Sequence, residues 1–207
     1  MVGELQGPAV APDAALIVVD VQNDFCPGGA LPVPDGDRVI PVLNAAVRAF
    51  VAAGRPVAFT RDWHPAGHVS FLDRGGPWPP HCVQGTPGAA YHPRLERPAE
   101  AAEFLKGEQP DRDAYSGFEG HRFDAGAGTL TGEDLAGWLR ARGTGTVYIG
   151  GLATDYCVRA TALDALKAGF RVVVLSDGVR SVDVSPGDGA RALEEIRSRG
   201  GQVRPWE

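Results

Sequence analysis

Apolar positions along this chain alternate between two spacings. Short unbroken runs end in a charged or small residue, and longer stretches repeat their apolar positions every three to four residues. ALIVVD at residues 15–20, PVAFTRD at 56–62, EFLK at 103–106, TVYIGG at 146–151 and RVVVL at 171–175 are runs of the first kind. Such runs mark strands buried on both faces of a parallel sheet. Residues 202–204 add an edge strand. Helical spacing appears at residues 37–53, where Val39, Ile40, Leu43, Val47, Phe50 and Val51 form one stripe. Asp35 or Asp37 can cap that helix and Gly54 can end it. It recurs at 131–142, with Thr131 as the expected N-cap and Leu135, Trp138 and Leu139 inward. It appears again at 155–168, with Val158, Ala162, Leu163 and Leu166 on one face, and at 189–198. Strands alternating with helices predict an α/β fold, three layers deep, around a six-stranded, mostly parallel, Rossmann-like sheet. Residues 1–207 read as one domain, with 1–13 a loose tail.

The periodicity breaks at residues 63–93, a long stretch rich in Pro and Gly, and at 107–128, a polar, Gly-rich loop. Long loops inside a compact domain tend to be functional. The first carries His64, His68, His81, Trp63 and Trp78. Ligands of open parallel sheets sit beyond the carboxyl ends of the strands. Asp20, Asp62, Lys106 and the segment leading to Cys157 all fall there and would converge on one crevice. VQNDF after the first strand is not the Gly-rich turn of a dinucleotide site.

Composition narrows the function. A net charge of −6 argues against nucleic acid and anionic membranes as partners. No apolar run approaches the ~18 residues of a membrane span, and the acidic N-terminus does not read as a signal peptide, so a cytoplasmic location is expected. Three cysteines, Cys26, Cys82 and Cys157, are an odd number, which argues against a disulfide framework. Taken alone, Cys157 is as well explained as a small core residue. Placed near a helix start, it would gain a lowered thiol pKa and nearby N–H groups for an oxyanion. Asp20 can take the thiol proton and later return it to a leaving amine, and Lys106 can keep Asp20 ionised. Asp62 with His64, His68 and His81 suits one divalent ion, Zn, Fe or Mn. His92 and His121 have no such company.

The same residues carry a resemblance. VVDVQNDFCPGGAL, DWHPAGHVSF with GPWPPHCVQGT, FLKG, AYSGFEG and GLATDYCVRATALDAL occur in order from about residue 15 to the C-terminus. Together they resemble the nicotinamidase/pyrazinamidase family of the isochorismatase-like cysteine hydrolases. The resemblance implies that fold and hydrolysis of a small pyridine carboxamide through a Cys thioester. It implies Asp20, Lys106 and Cys157 as catalytic residues, and Asp62, His64, His68 and His81 as metal ligands. It further implies a cis peptide at Leu152–Ala153, an oxyanion hole from the N–H groups of Ala153 and Cys157, and a ring site of Phe25, Trp78 and Tyr115. The substrate is then nicotinamide, with pyrazinamide also accepted, and the chain acts as a monomer or homo-oligomer. Three other readings compete. A metal-free amidase for carbamoyl or ureido compounds is disfavoured by the Asp–His set. An isochorismatase-type hydrolase is disfavoured by Cys157 and His81. An interaction domain without chemistry is disfavoured by the intact Asp20, Lys106 and Cys157.

Overall fold

The computed structural model describes residues 10–206; most of the N-terminal tail expected from sequence lies outside them. Within them, Val10 and Ala11 pack against the core, and Asp13 pairs with Arg171 at 2.5 Å. The strands are β1 (Ala14–Val19), β2 (Val57–Asp62), β3 (Ala102–Lys106), β4 (His121–Asp124), β5 (Thr129–Asp134), β6 (Thr146–Leu152), β7 (Arg171–Arg180) and β8 (Gln202–Arg204). The helices are α1 (Ile40–Ala52), α2 (Leu135–Arg140), α3 (Arg159–Lys167) and α4 (Asp188–Ser198). The strands form one sheet in the order β5-β4-β3-β2-β1-β6-β7-β8. Pairing is parallel from β3 to β8 and antiparallel at β3–β4 and β4–β5.

Burial on both faces explains the unbroken apolar runs. In β1, Leu16 and Val18 face the cluster built with Leu43, Val47 and Phe50 of α1. Ala15, Ile17 and Val19 face the cluster that includes Trp138 of α2, Ala162 of α3 and Ile196 of α4. Hydrophobic burial on each side, about 25 cal/mol per Å² of apolar surface, holds the three layers together.

The sheet has eight strands, not the six expected. The two additions, β4 and β5, form a hairpin on the outer edge. A register shift between His121 and Phe123 interrupts their ladder, and β5 is largely exposed. Its sequence, HRFDAGAGTLTGED, therefore lacks the apolar run that marked the inner strands. The turn is made by Asp124, whose Oδ1 accepts the N–H groups of Gly126 and Ala127. Thr131 lies in this hairpin. The N-cap of α2 is Asp134, whose Oδ1 accepts the N–H of Gly137 at 2.6 Å. The helix expected at 155–168 opens with a π-helical turn, Thr154–Val158, before α3.

Strand order reverses at β1, where the chain moves first toward β2 and β3 and later toward β6 and β7. The crevice beyond the carboxyl ends at this switch point is the place where open sheets bind ligands. Asp62 ends β2, Lys106 ends β3, Asp20 follows β1, and Cys157 follows β6.

Candidate active site

Four strand ends bring Asp20, Asp62, Lys106 and Cys157 into contact. The Lys106 ammonium is fully buried. It lies 2.9 Å from Asp20 Oδ2, donates to Asp62 Oδ1, and stands 3.5 Å from Cys157 Sγ and from the carbonyl of Ala114. Asp20 is also fully buried, with backbone φ of 50° immediately after β1. Its Oδ1 accepts the Thr60 hydroxyl at 2.7 Å. Its Oδ2 accepts no hydrogen bond of good angle despite the nearby ammonium. Ligand atoms of Asp20, Asp62 and Cys157 lie within 4.8 Å of one another.

Burial and charge set the proton positions. Burial pushes Asp20 up, the Lys106 charge opposes this, and the outcome is a raised pKa. Burial also acts on Asp62, but Lys106 and His64 outweigh it and hold that carboxyl well below the usual range. Lys106 is driven well above its ordinary value by Asp20 and Asp62, against the cost of burial. The Cys157 thiol is pushed well above its ordinary value, first by burial and then by the two carboxylates, with Lys106 only partly offsetting them. This differs from the low-pKa thiol expected of a helix start. The sulfur sits in the π turn, buried beside two acids, and burial is the main cause of the upward shift. Cys157 therefore rests as a thiol with a carboxylate within reach.

The second cluster adjoins the first through Asp62. Ligand atoms of Asp62, His64 and His81 lie within 4.8 Å of one another, and all three residues are buried. His64 Nδ1 meets the carbonyl of Gly107 at 3.0 Å and His81 Nδ1 meets the carbonyl of Pro79 at 2.8 Å. Each contact fixes the proton on Nδ1 and leaves the Nε2 lone pair for the cluster, as metal-binding imidazoles require. Gly107 is needed there. It has φ of 64°, and an added Cβ would fall 2.4 Å from the His64 ring. Burial opposes a charge on His64, but the Asp62 carboxylate prevails and raises its pKa; with Nε2 deprotonated, the two imidazoles and the carboxylate fit a divalent ion of the zinc type. His68 stands outside this trio. Its Nδ1 is 2.7 Å from Ser70 Oγ, its Nε2 is 3.0 Å from the Arg112 carbonyl, and its ring stacks on His64 at 4.2 Å. Of the four ligands expected from sequence, three come together. His92 and His121 lie outside both clusters.

A cavity opens over both clusters. Phe25, Trp78 and Tyr115, the expected ring site, all line it, with Asp62, His81, Ala153 and Cys157. Phe25 is fixed by Asp24, whose carboxylate accepts the N–H groups of Ala30 and Cys82 and so ties the Phe25 turn to the metal loop. Trp78 Nε1 donates to Tyr115 Oη at 3.0 Å. Sequence reasoning missed Leu31, Val33, Tyr156 and Val182 on the same wall. It also missed Phe71, buried beneath the rings of His64, His68 and His81. Tyr156 adjoins Cys157, and that adjacency was the one available signal. The Leu152–Ala153 peptide is cis. Ala153 and Cys157, the residues expected to supply the oxyanion hole, both line the cavity.

Comparisons with known proteins show the family. The model of the isochorismatase domain matches residues 14–207. A nicotinamidase of Escherichia coli (strain K12) is 43% identical over 95% of this chain and 98% of its own. A nicotinamidase/pyrazinamidase of Mycobacterium tuberculosis (strain ATCC 25618 / H37Rv) is 44% identical over 89% of this chain and 94% of its own. The crystal structure of the pyrazinamidase of Pyrococcus horikoshii in complex with zinc superposes with a TM-score of 0.84 at 52% identity, covering 94% of this chain and 99% of that one.

Proposed function

The chain belongs to the isochorismatase family, and from that premise we propose that it is a nicotinamidase that hydrolyses nicotinamide to nicotinate and ammonia through a thioester on Cys157. The observation that carries the reading is the meeting of two clusters at Asp62, one with a nucleophile and a proton acceptor, the other with the donors of a metal site.

The steps follow from the positions of the groups. We place the pyridine ring among Phe25, Trp78, Tyr115 and Tyr156, which line the cavity together with Cys157, with its carboxamide toward that sulfur. Cys157 Sγ attacks the carbonyl carbon while Asp20 Oδ2 takes the thiol proton. The raised thiol pKa makes this transfer part of the attack rather than a step before it. The N–H groups of Ala153 and Cys157 hold the oxyanion. Asp20 gives its proton to the leaving nitrogen, and ammonia departs. Water then loses a proton to Asp20 and hydrolyses the thioester, which restores the thiol. Lys106 holds Asp20 in place as a carboxylate between steps. Asp62, His64 and His81 would hold a divalent ion, for which we propose zinc. When bound, it supplies a Lewis-acid contact that orients the ring nitrogen. With the ring so placed, pyrazinamide is accepted as well. Cys26, Cys82 and Cys157 are all free thiols, in keeping with a reducing, cytoplasmic setting.

Ammonia release by the purified protein tests the reading. Nicotinamide should yield ammonia and nicotinate in equal amounts, chelation should stop the reaction, and added Zn²⁺ should restore it. Release from ureido compounds alone, unaffected by chelator, would establish the metal-free alternative instead.

A further inference from the structure

We propose that Gln22 is a positioning residue that sets the spacing of the two site carboxylates, its side-chain amide supplying a rung that β1 cannot. The inference rests on the function proposed above for Asp20 and Asp62. It comes from the end of the β1–β2 ladder.

Register between these strands runs as far as Val19 beside Thr60, and the Asp20 N–H still reaches the Thr60 carbonyl at 3.2 Å. The chain then leaves the sheet. Asp20 takes φ of 50°, and the Gln22 N–H turns back to the Asp20 carbonyl at 2.8 Å. In a parallel ladder every second residue presents both its N–H and its C=O to the same neighbour. Thr60 faces β1, so Asp62 faces it too, at a level where β1 has already turned away. The N–H and C=O of Asp62 would be left there buried and unpaired, which is costly.

Gln22 fills the gap. Its Oε1 accepts the Asp62 N–H at 2.8 Å, and its Nε2 donates to the Asp62 carbonyl at 2.9 Å and to the Ala89 carbonyl at 3.0 Å. The side chain is fully buried, with both amide hydrogens and the oxygen engaged. The backbone of Gln22 is held as well. It forms a bridge with Tyr91, flanked by Asn23 N–H to the Ala90 carbonyl and His92 N–H to the Val21 carbonyl, each at 2.9 Å. Asp20 is thus free to swing its carboxylate toward Cys157 while Asp62 stays in strand geometry beside Lys106. Gln22 is the rigid link between them. No other residue type does this. Asn has the same amide on a chain one methylene too short, and Glu has no donor for the two carbonyls.

Gln22→Met and Gln22→Asn in the zinc-loaded, full-length protein test the link. The measurements are kcat and KM for nicotinamide, release of Zn²⁺ to a chelator, and the melting temperature. Small misplacements of reacting groups cost about 10²-fold in rate, and lost supporting bonds around a metal site cost about 10–100-fold in affinity. The expected result for protein folded at the assay temperature is therefore a fall in kcat of about 10–100-fold. KM should be almost unchanged, and Zn²⁺ should be held about 10–100-fold more weakly. Wild-type kcat and wild-type Zn²⁺ retention in either folded variant would overturn the proposal, and so would a lowered melting temperature alone. Should Gln22→Met not fold, Gln22→Asn decides on the same terms. Should the wild type itself release no ammonia from nicotinamide, the functional reading fails, and Zn²⁺ retention still decides the role of Gln22.

Discussion

Replacing Lys106 by Met removes one charge from the centre of the site and keeps a side chain of similar length. At 2.9 Å from Asp20 Oδ2, an ammonium at an effective dielectric of about 20 contributes about 6 kcal/mol of Coulomb attraction. The cost of taking both charges out of water offsets much of that. Deleting one partner of a buried pair nonetheless costs about 3–5 kcal/mol, because the other charge is left uncompensated. Here two carboxylates are left. For a chain of this size, about 2–4 °C of melting temperature goes with each kcal/mol, so the metal-free variant should melt about 6–20 °C below the wild type at neutral pH. The penalty should depend on pH in a definite direction. In the wild type Asp62 is held below its ordinary value, so its stabilising share is present above the ordinary carboxylate pKa and fades as pH falls. In the variant both carboxyls have raised pKa values, and such groups favour the fold when protonated and disfavour it as pH rises. The gap in melting temperature should therefore be wide at pH 7 and narrow toward pH 4. Activity should fall about 10²–10⁴-fold at pH 7, since Asp20 becomes protonated and cannot accept the thiol proton. Thermal melts of both proteins across that range are the assay. A gap of only a degree or two, or one equal at pH 4 and pH 7, would refute the buried charge balance as drawn.

Three further expectations follow from the same groups. The acid limb of kcat/KM should lie above the ordinary carboxylate value of about 3.9, because Asp20 must be ionised to accept a proton and its pKa is raised; a pH–rate profile flat down to pH 4 would remove Asp20 from that role. Alkylation of Cys157 by iodoacetamide should speed up steadily from pH 7 to pH 9, as burial and the adjacent acids raise this thiol, whereas a rate already at its plateau below pH 8 would mean a preformed thiolate. Benzamide, which can stack beside Phe25 and Trp78 but has no ring nitrogen, should be turned over with kcat/KM more than about tenfold below nicotinamide, a difference of at least ~1.4 kcal/mol, and the gap should narrow in His81→Ala; equal efficiencies would make the site a general aromatic amidase.

Much of the site can be read from sequence because its chemistry sits at strand ends. β1, β2, β3 and β6 are buried on both faces, so each announces itself as an apolar run, and Asp20, Asp62, Lys106 and Cys157 stand at or just after the ends of those runs. The hairpin of β4 and β5 escaped because an edge pair with an exposed face needs no apolar run. The walls of the cavity escaped for another reason. Leu31, Val33 and Val182 are ordinary apolar residues that the fold brings from distant positions to the cavity lined by Trp78 and Tyr156. His68, expected as a ligand from its motif, has ring nitrogens that meet Ser70 Oγ and the Arg112 carbonyl, contacts that spacing along the chain does not reveal. The raised thiol pKa of Cys157 was equally out of reach. A helix start is visible in sequence, whereas enclosure beside two carboxylates from other strands is not.

The central claim is that Cys157 is the nucleophile of an amide hydrolysis with Asp20 as its proton acceptor. The measurement closest to it is ammonia release from nicotinamide by the wild type and by Cys157→Ala, paired with nicotinamide binding to each by calorimetry. The wild type should turn over, Cys157→Ala should release no ammonia above the uncatalysed background, and both should bind nicotinamide similarly. Ammonia release by a folded Cys157→Ala at more than a small fraction of the wild-type rate would contradict that claim.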